Sequence, residues 1–108
     1  MQMAAGLDTG DVWLMRECPI STETTGGSLH DELAELGAIA LQQALPLVLD
    51  GSHSPEPQDE TLATYASKLS KREANIDWTE SAVALDRKIR AFNPWPVSYT
   101  HLTLPTKA

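Results

Sequence analysis

The sequence predicts an α/β chain, and three observations carry that reading. A β-branched and aromatic run, Val12-Trp13-Leu14-Met15, is closed by Pro19; apolar residues recur at helical spacing after Ser28; and a polar stretch with two prolines, Ser52 to Asp59, divides these from two further helical signals.

Taken in order, the run from Val12 reads as a strand closed by Pro19, since Val and Trp favour a pleated surface and proline cannot continue a ladder. Ser21 to Gly27 is a polar loop ending in glycine. Ser28 is then a helix cap, Asp31 and Glu32 fall in the first turn where the dipole favours acids, and Leu29, Leu33, Leu36, Ala40, Ala44 and Leu47 form an apolar stripe. Gly37 permits a bend, and Pro46, which lacks a backbone donor, predicts a kink or restart before Asp50-Gly51 ends the helix. Ser52 to Asp59 offers nothing apolar to bury and reads as an exposed linker. Ser70-Lys71-Arg72-Glu73 matches a capping box and predicts a short helix. In a last helix Thr79 is the predicted cap, Trp78 staples against Val83, and Ala82, Leu85, Ile89 and Phe92 make the stripe before Pro94 and Pro96 stop it.

Charge divides the chain more sharply than its net −7 suggests. Residues 1 to 60 set eleven acids against Arg16 alone, a net −10, whereas residues 61 to 108 set four acids against seven bases, a net +3. Lys68, Lys71, Arg72, Arg87, Lys88 and Arg90 therefore form the part of the chain suited to phosphate, although a solvated helix face accounts for the same residues. The single Cys18 cannot make an internal disulfide and reads as a half-buried strand residue. His30, His53 and His101 have no cysteine or carboxylate at metal-ligand spacing, and no phosphate-cradling glycine loop or nucleophile elbow occurs. No run approaches the roughly 18 consecutive apolar residues of a membrane helix, and no basic region precedes an apolar core at the start, so a soluble, cytoplasmic protein is expected.

The motif with chemistry in it is Gly6-Leu7-Asp8-Thr9-Gly10-Asp11. Two glycines bracket Asp8 and allow a tight loop that presents the carboxylate, although a plain turn is the alternative. Asp8-Thr9-Gly10 is also the triplet of an aspartic protease, but such an enzyme is nearly all β, against the strongly helical 28–49. Met1-Gln2-Met3 leads straight into this loop, which reads as a chain entered in mid-domain.

Four stretches occur in order: Gly6 to Asp11; Leu33-Ala34-Glu35-Leu36-Gly37; Thr64 to Lys71 with Ile76-Asp77-Trp78; and Ile89-Arg90-Ala91-Phe92-Asn93-Pro94-Trp95-Pro96. Together they resemble the methionyl-tRNA formyltransferase family over residues 1–96. That resemblance implies the C-terminal part of a Rossmann-like formyltransferase domain at 1–51, a linker at 52–69, and the truncated start of an OB-like C-terminal domain at 70–96. It implies transfer of a formyl group from 10-formyltetrahydrofolate to the amino group of initiator Met-tRNA by a monomeric enzyme with no metal. Asp8 matches the aspartate that orients a catalytic histidine and a water, Gly6 and Leu7 become pterin-side contacts, and Lys68, Lys71, Arg72, Arg87 and Arg90 contacts to the tRNA. The partner asparagine and histidine would precede Met1, so the resemblance implies a chain inactive by itself. The alternatives are a formyltransferase domain for aminosugar nucleotides or of the folate-dehydrogenase type, and a non-catalytic helical interaction module. Residues 97–108 depart from the family's pattern and read as a non-native tail.

Overall fold

The computed structural model describes residues 1–97 of the 108. They form two α-helices, α1 at Gly26–Asp50 and α2 at Ala82–Ala91, with 3₁₀ turns at Glu60–Leu62 and Lys71–Ala74. No sheet occurs among the described residues, which corrects the strand expected from Val12 up to Pro19. Backbone pairing there reduces to one antiparallel bridge between Val12 and Glu56, with N–H to oxygen distances of 2.7 and 2.9 Å. A strand needs a neighbour along its whole length to satisfy its amides, and past Val12 this run finds none among the described residues.

Two compact units divide the chain, Met1–Pro19 with Glu32–Ala66, and Ile20–Asp31 with Ser67 onward. In the first, the proline-bearing segment after α1 returns to the N-terminal loop through the Val12–Glu56 bridge. Leu36, Ala40, Ala44 and Leu47 are half-buried, as the apolar stripe predicts, while Leu33 lies exposed. Arg16 donates to the Gln43 side-chain oxygen from Nε at 3.1 Å and from a terminal nitrogen at 2.5 Å. α1 runs unbroken through Pro46 and ends at Gly51, whose φ of +73° is the left-handed conformation that glycine adopts without steric cost. The restart expected at Pro46 does not occur. An 18-residue window of α1 has a mean hydropathy of 1.3 and is unburied, so by length and composition alone this helix could cross a membrane.

In the second unit, α1 begins two residues before Ser28. Thr25 Oγ1 accepts from the Ser28 N–H at 3.1 Å, and Ser28 Oγ accepts from the Thr25 N–H at 2.9 Å, so Thr25 is the cap and Ser28 its reciprocal partner. Asp31 and Glu32 consequently lie beyond the first turn, where the dipole does little. Gly26 and Gly27 are required by close approach. A Cβ on Gly26 would run into the Ala91 carbonyl oxygen, one on Gly27 would lie 2.8 Å from Pro94 Cδ, and the Gly27 N–H donates to Asn93 O at 2.8 Å.

α2 also starts later than expected. Ser81 Oγ accepts from the Ala84 N–H at 3.1 Å, whereas Thr79 donates its N–H and hydroxyl to Asp77 Oδ1 at 3.0 and 2.6 Å. With Ser81 as cap, the staple positions become Glu80 and Leu85, and both Trp78 and Val83 stay exposed. Of the predicted stripe Leu85 and Phe92 are half-buried, whereas Ala82 and Ile89 are exposed, and Ala84, Lys88 and Arg90 complete the half-buried set. The capping box at Ser70 forms as expected: Glu73 Oε2 accepts from the Ser70 N–H at 2.6 Å, over a 3₁₀ turn that buries Ala74. Only Gly10, Ala74 and Pro96 are buried among the described residues.

Candidate functional site

The Asp8 loop is held from its backbone. Gln58 Nε2 donates to the carbonyl oxygens of Gly10 at 2.6 Å and Asp8 at 3.1 Å, and the Gln2 N–H donates to Asp11 O at 2.7 Å. Trp13 Nε1 donates to the Gln2 side-chain oxygen at 3.1 Å, tying the apolar run to the same loop. Gly10 is buried, and glycine is required there because a Cβ would run into the Gln2 carbonyl oxygen. The positive φ expected of the flanking glycines falls instead on Asp8 itself, at +51°. Aspartate tolerates this conformation better than most residues, and a non-glycine residue held there marks a backbone that its surroundings over-determine.

Asp8 and Thr9 open onto a cleft of about 700 Å³ whose apolar wall includes Val12, Trp13, Leu14 and Leu62. Asp8, Glu56, Asp59 and Glu60 give its lining four carboxylates, with no histidine, asparagine or base among the described lining residues. Asp59 Oδ1 accepts from the Thr61 N–H at 3.0 Å and hydroxyl at 2.6 Å, and these bonds hold its carboxyl below the ordinary value of 3.8. Gly6 and Leu7 do not line this cleft, and Leu7 is 86% exposed. A cleft of acceptors beside an indole suits a ligand edge that carries hydrogen-bond donors, and it offers nothing to an anion.

Cys18 is half-buried, as read, though not on a strand. Desolvation, with the Glu32 carboxylate beside it, pushes its thiol above the ordinary value, so it stays protonated and a poor nucleophile.

The basic residues singled out for phosphate lie in the second unit and fall into two groups. Arg90 donates from one terminal nitrogen to the carbonyls of Thr24 at 2.9 Å and Ser21 at 3.3 Å, while its Nε pairs with Asp86 at 3.0 Å. Lys88 donates to Asn75 O at 2.9 Å and lies 3.8 Å from Glu80. Lys68, Lys71, Arg72 and Arg87 are exposed and enter no ion pair among the described residues. Lys71 shares a cleft of about 420 Å³ with Pro94, Trp95, Pro96 and Val97.

Sequence reasoning missed Gln58, the residue that fixes the loop, because it lies within an apparent linker and its partners are 48 and 50 residues away. No local signal marks it.

Comparison with known proteins finds two similarities. Residues 68–106 match the formyl transferase C-terminal domain. Over 102 residues the chain is 59% identical to the methionyl-tRNA formyltransferase of Stutzerimonas stutzeri (strain A1501), which covers 94% of this chain. The chain is closely similar to the methionyl-tRNA formyltransferases. It spans about a third of that relative's length, 32%. The tail read as non-native falls, past Val97, outside the described residues.

Proposed function

We propose that this chain is the portion of a methionyl-tRNA formyltransferase that runs from the end of a Rossmann-like catalytic domain, through the Asp8 loop, into an OB-like tRNA-holding domain. The observation that carries the reading is 59% identity sustained over 94% of the chain, which includes both the loop and the Asn93-Pro94-Trp95-Pro96 boundary. The reaction moves a formyl group to the α-amino group of methionine on initiator tRNA, in the cytoplasm, away from any membrane.

When bound, 10-formyltetrahydrofolate supplies the formyl group. The carboxylates of the Asp8 cleft, with Trp13 beside them, would hold its pterin end, and Gly6 and Leu7 would lie at that end's outer edge. The left-handed backbone at Asp8, fixed by Gln58, aims the carboxylate into the cleft as an acceptor that orients a donor brought by the rest of the enzyme. Developing charge on the formyl oxygen needs donors, and the cleft's described lining gives few, since the Gln58 amide is already committed to two carbonyls. This chain alone is therefore expected to show no turnover.

Lys68, Lys71, Arg72 and Arg87 would neutralise tRNA phosphates. Arg90 contributes by positioning, because its guanidinium is engaged with Thr24, Ser21 and Asp86. A chimera tests the assignment: residues 1–96 replace the matching part of the Stutzerimonas enzyme. It is expected to formylate Met-tRNA, and Asp8→Asn within it to lower kcat about 100-fold or more. A chimera with full activity after that substitution removes Asp8 from the chemistry.

A further inference from the structure

Cations that hold nucleic acid through phosphates alone give affinity without discriminating paired from unpaired strands. The Lys71 cleft holds a second kind of group. Trp95 lines it together with Lys71 and remains 54% exposed, so the described residues leave about half of it open to a ligand. Its segment is anchored: the Gly27 N–H donates to Asn93 O at 2.8 Å, Pro94 sits over Gly27 with no room for a Cβ, and Pro96 is buried. An aromatic ring on an anchored backbone loses little freedom when a second ring stacks on it.

Resting on the tRNA-holding reading above and deepening it, we propose that the Lys71–Trp95 cleft takes an unpaired nucleotide of the RNA, its base stacked on the Trp95 indole and its phosphate neutralised by Lys71. The charge fits. Lys68 and Arg72 are exposed close by in sequence, and neither Lys71 nor Arg72 is paired with an acid among the described residues. A paired base cannot offer its face, so stacking confines this site to single-stranded ends, bulges or loops. The unit is distinct in kind from the acidic Asp8 cleft, which repels phosphate.

The test is fluorescence anisotropy of the 108-residue chain with a labelled adenosine tetranucleotide and with a blunt RNA hairpin, each across a salt series. Trp95→Leu keeps apolar bulk without a π face and is expected to weaken tetranucleotide binding about ten-fold, at unchanged salt slope. Trp95→Phe is expected to stay within about three-fold, and neither variant to alter hairpin binding. Lys71→Ala is expected to reduce the single-strand salt slope by about 0.7. Equal affinity of Trp95→Leu and the parent, with Lys71→Ala still lowering the slope, overturns the stacking site and leaves a plain basic surface. If binding shows no salt dependence in any form, the tRNA-holding reading fails with it.

Discussion

Two loops of this chain are held by the same device with opposite electrical consequences. Around Asp8, a side-chain amide from Gln58 donates to two backbone carbonyls; around Ser21 to Thr24, the Arg90 guanidinium does likewise. The neutral clamp leaves the side chain of Asp8, which lines the cleft, in no hydrogen bond or ion pair among the described residues. The charged clamp is itself paired with Asp86, so it adds order but subtracts a cation from the basic surface. A long side chain satisfying loop carbonyls thus has two uses, and which residue supplies it decides how much charge remains for a ligand.

Each clamp rests on a glycine that admits no Cβ, and the comparison breaks first there. Gly10→Ala would force a methyl into the Gln2 carbonyl, and Gly26→Ala into that of Ala91, both backbone atoms that cannot swing away. A cost of about 2–3 kcal/mol is expected for each, against a small gain at Gly37→Ala, where nothing lies within 4 Å. Amide exchange should show fast opening of the 2–12 segment in the first variant and of 24–29 in the second. If both glycine variants exchange like the parent, close approach is not what these positions require.

Next in size is Arg90→Met, which keeps the stem and removes the donors. Hydrogen bonds from a charged group to two carbonyls are worth about 2 kcal/mol, reduced here because the Asp86 partner is largely exposed. Proteolysis near Ser21 to Thr24 should accelerate, while the salt slope of RNA binding should stay that of the parent. A slope that falls with Arg90→Met as it does with Lys71→Ala would return Arg90 to the phosphate-binding set.

Gln58→Leu is the matching cut on the acidic side, with about 1 kcal/mol expected because both bonds are neutral. The informative readout is Asp8 itself. Released from the clamp, it should leave the left-handed region, seen as a change in its amide to α-proton coupling. Retention of φ near +51° without Gln58 would mean that the Gln2–Asp11 contact suffices.

What the sequence disclosed, and what it hid, follows the range of the interactions involved. The stripe through Leu36, Ala40, Ala44 and Leu47 was readable because helical periodicity is a local property, and those are the half-buried positions. The helix start was missed by three residues, since Thr25 caps as well as Ser28 does, and a glycine pair looks like a loop until Asn93 is seen against it. The strand at Val12 was over-read because a strand's existence depends on a partner that the pattern cannot supply. Asp8 stood out between its glycines, yet its clamp did not, being a glutamine 50 residues away with no motif around it. Arg90 was legible as a charge and illegible as a carbonyl donor for the same reason.

The smallest effect sits on the basic side and depends on pH. Asp77 accepts two bonds from Thr79 and feels Lys88, which lower its carboxyl below the ordinary 3.8. A group whose folded value is depressed stabilises the fold above its unfolded value and loses that contribution as pH falls through the folded one. The turn leading into α2 should therefore hold from neutrality down to about pH 4 and loosen below it. Asp59 with Thr61 should behave alike on the acidic side, where no cation assists. Carboxyl-carbon NMR titration is expected to give midpoints below 3.8 for both, with Thr79→Val moving Asp77 upward more than any added salt does. If salt has the larger effect, the Lys88 charge and not the threonine donors sets the depression, and the two aspartates would then differ in kind.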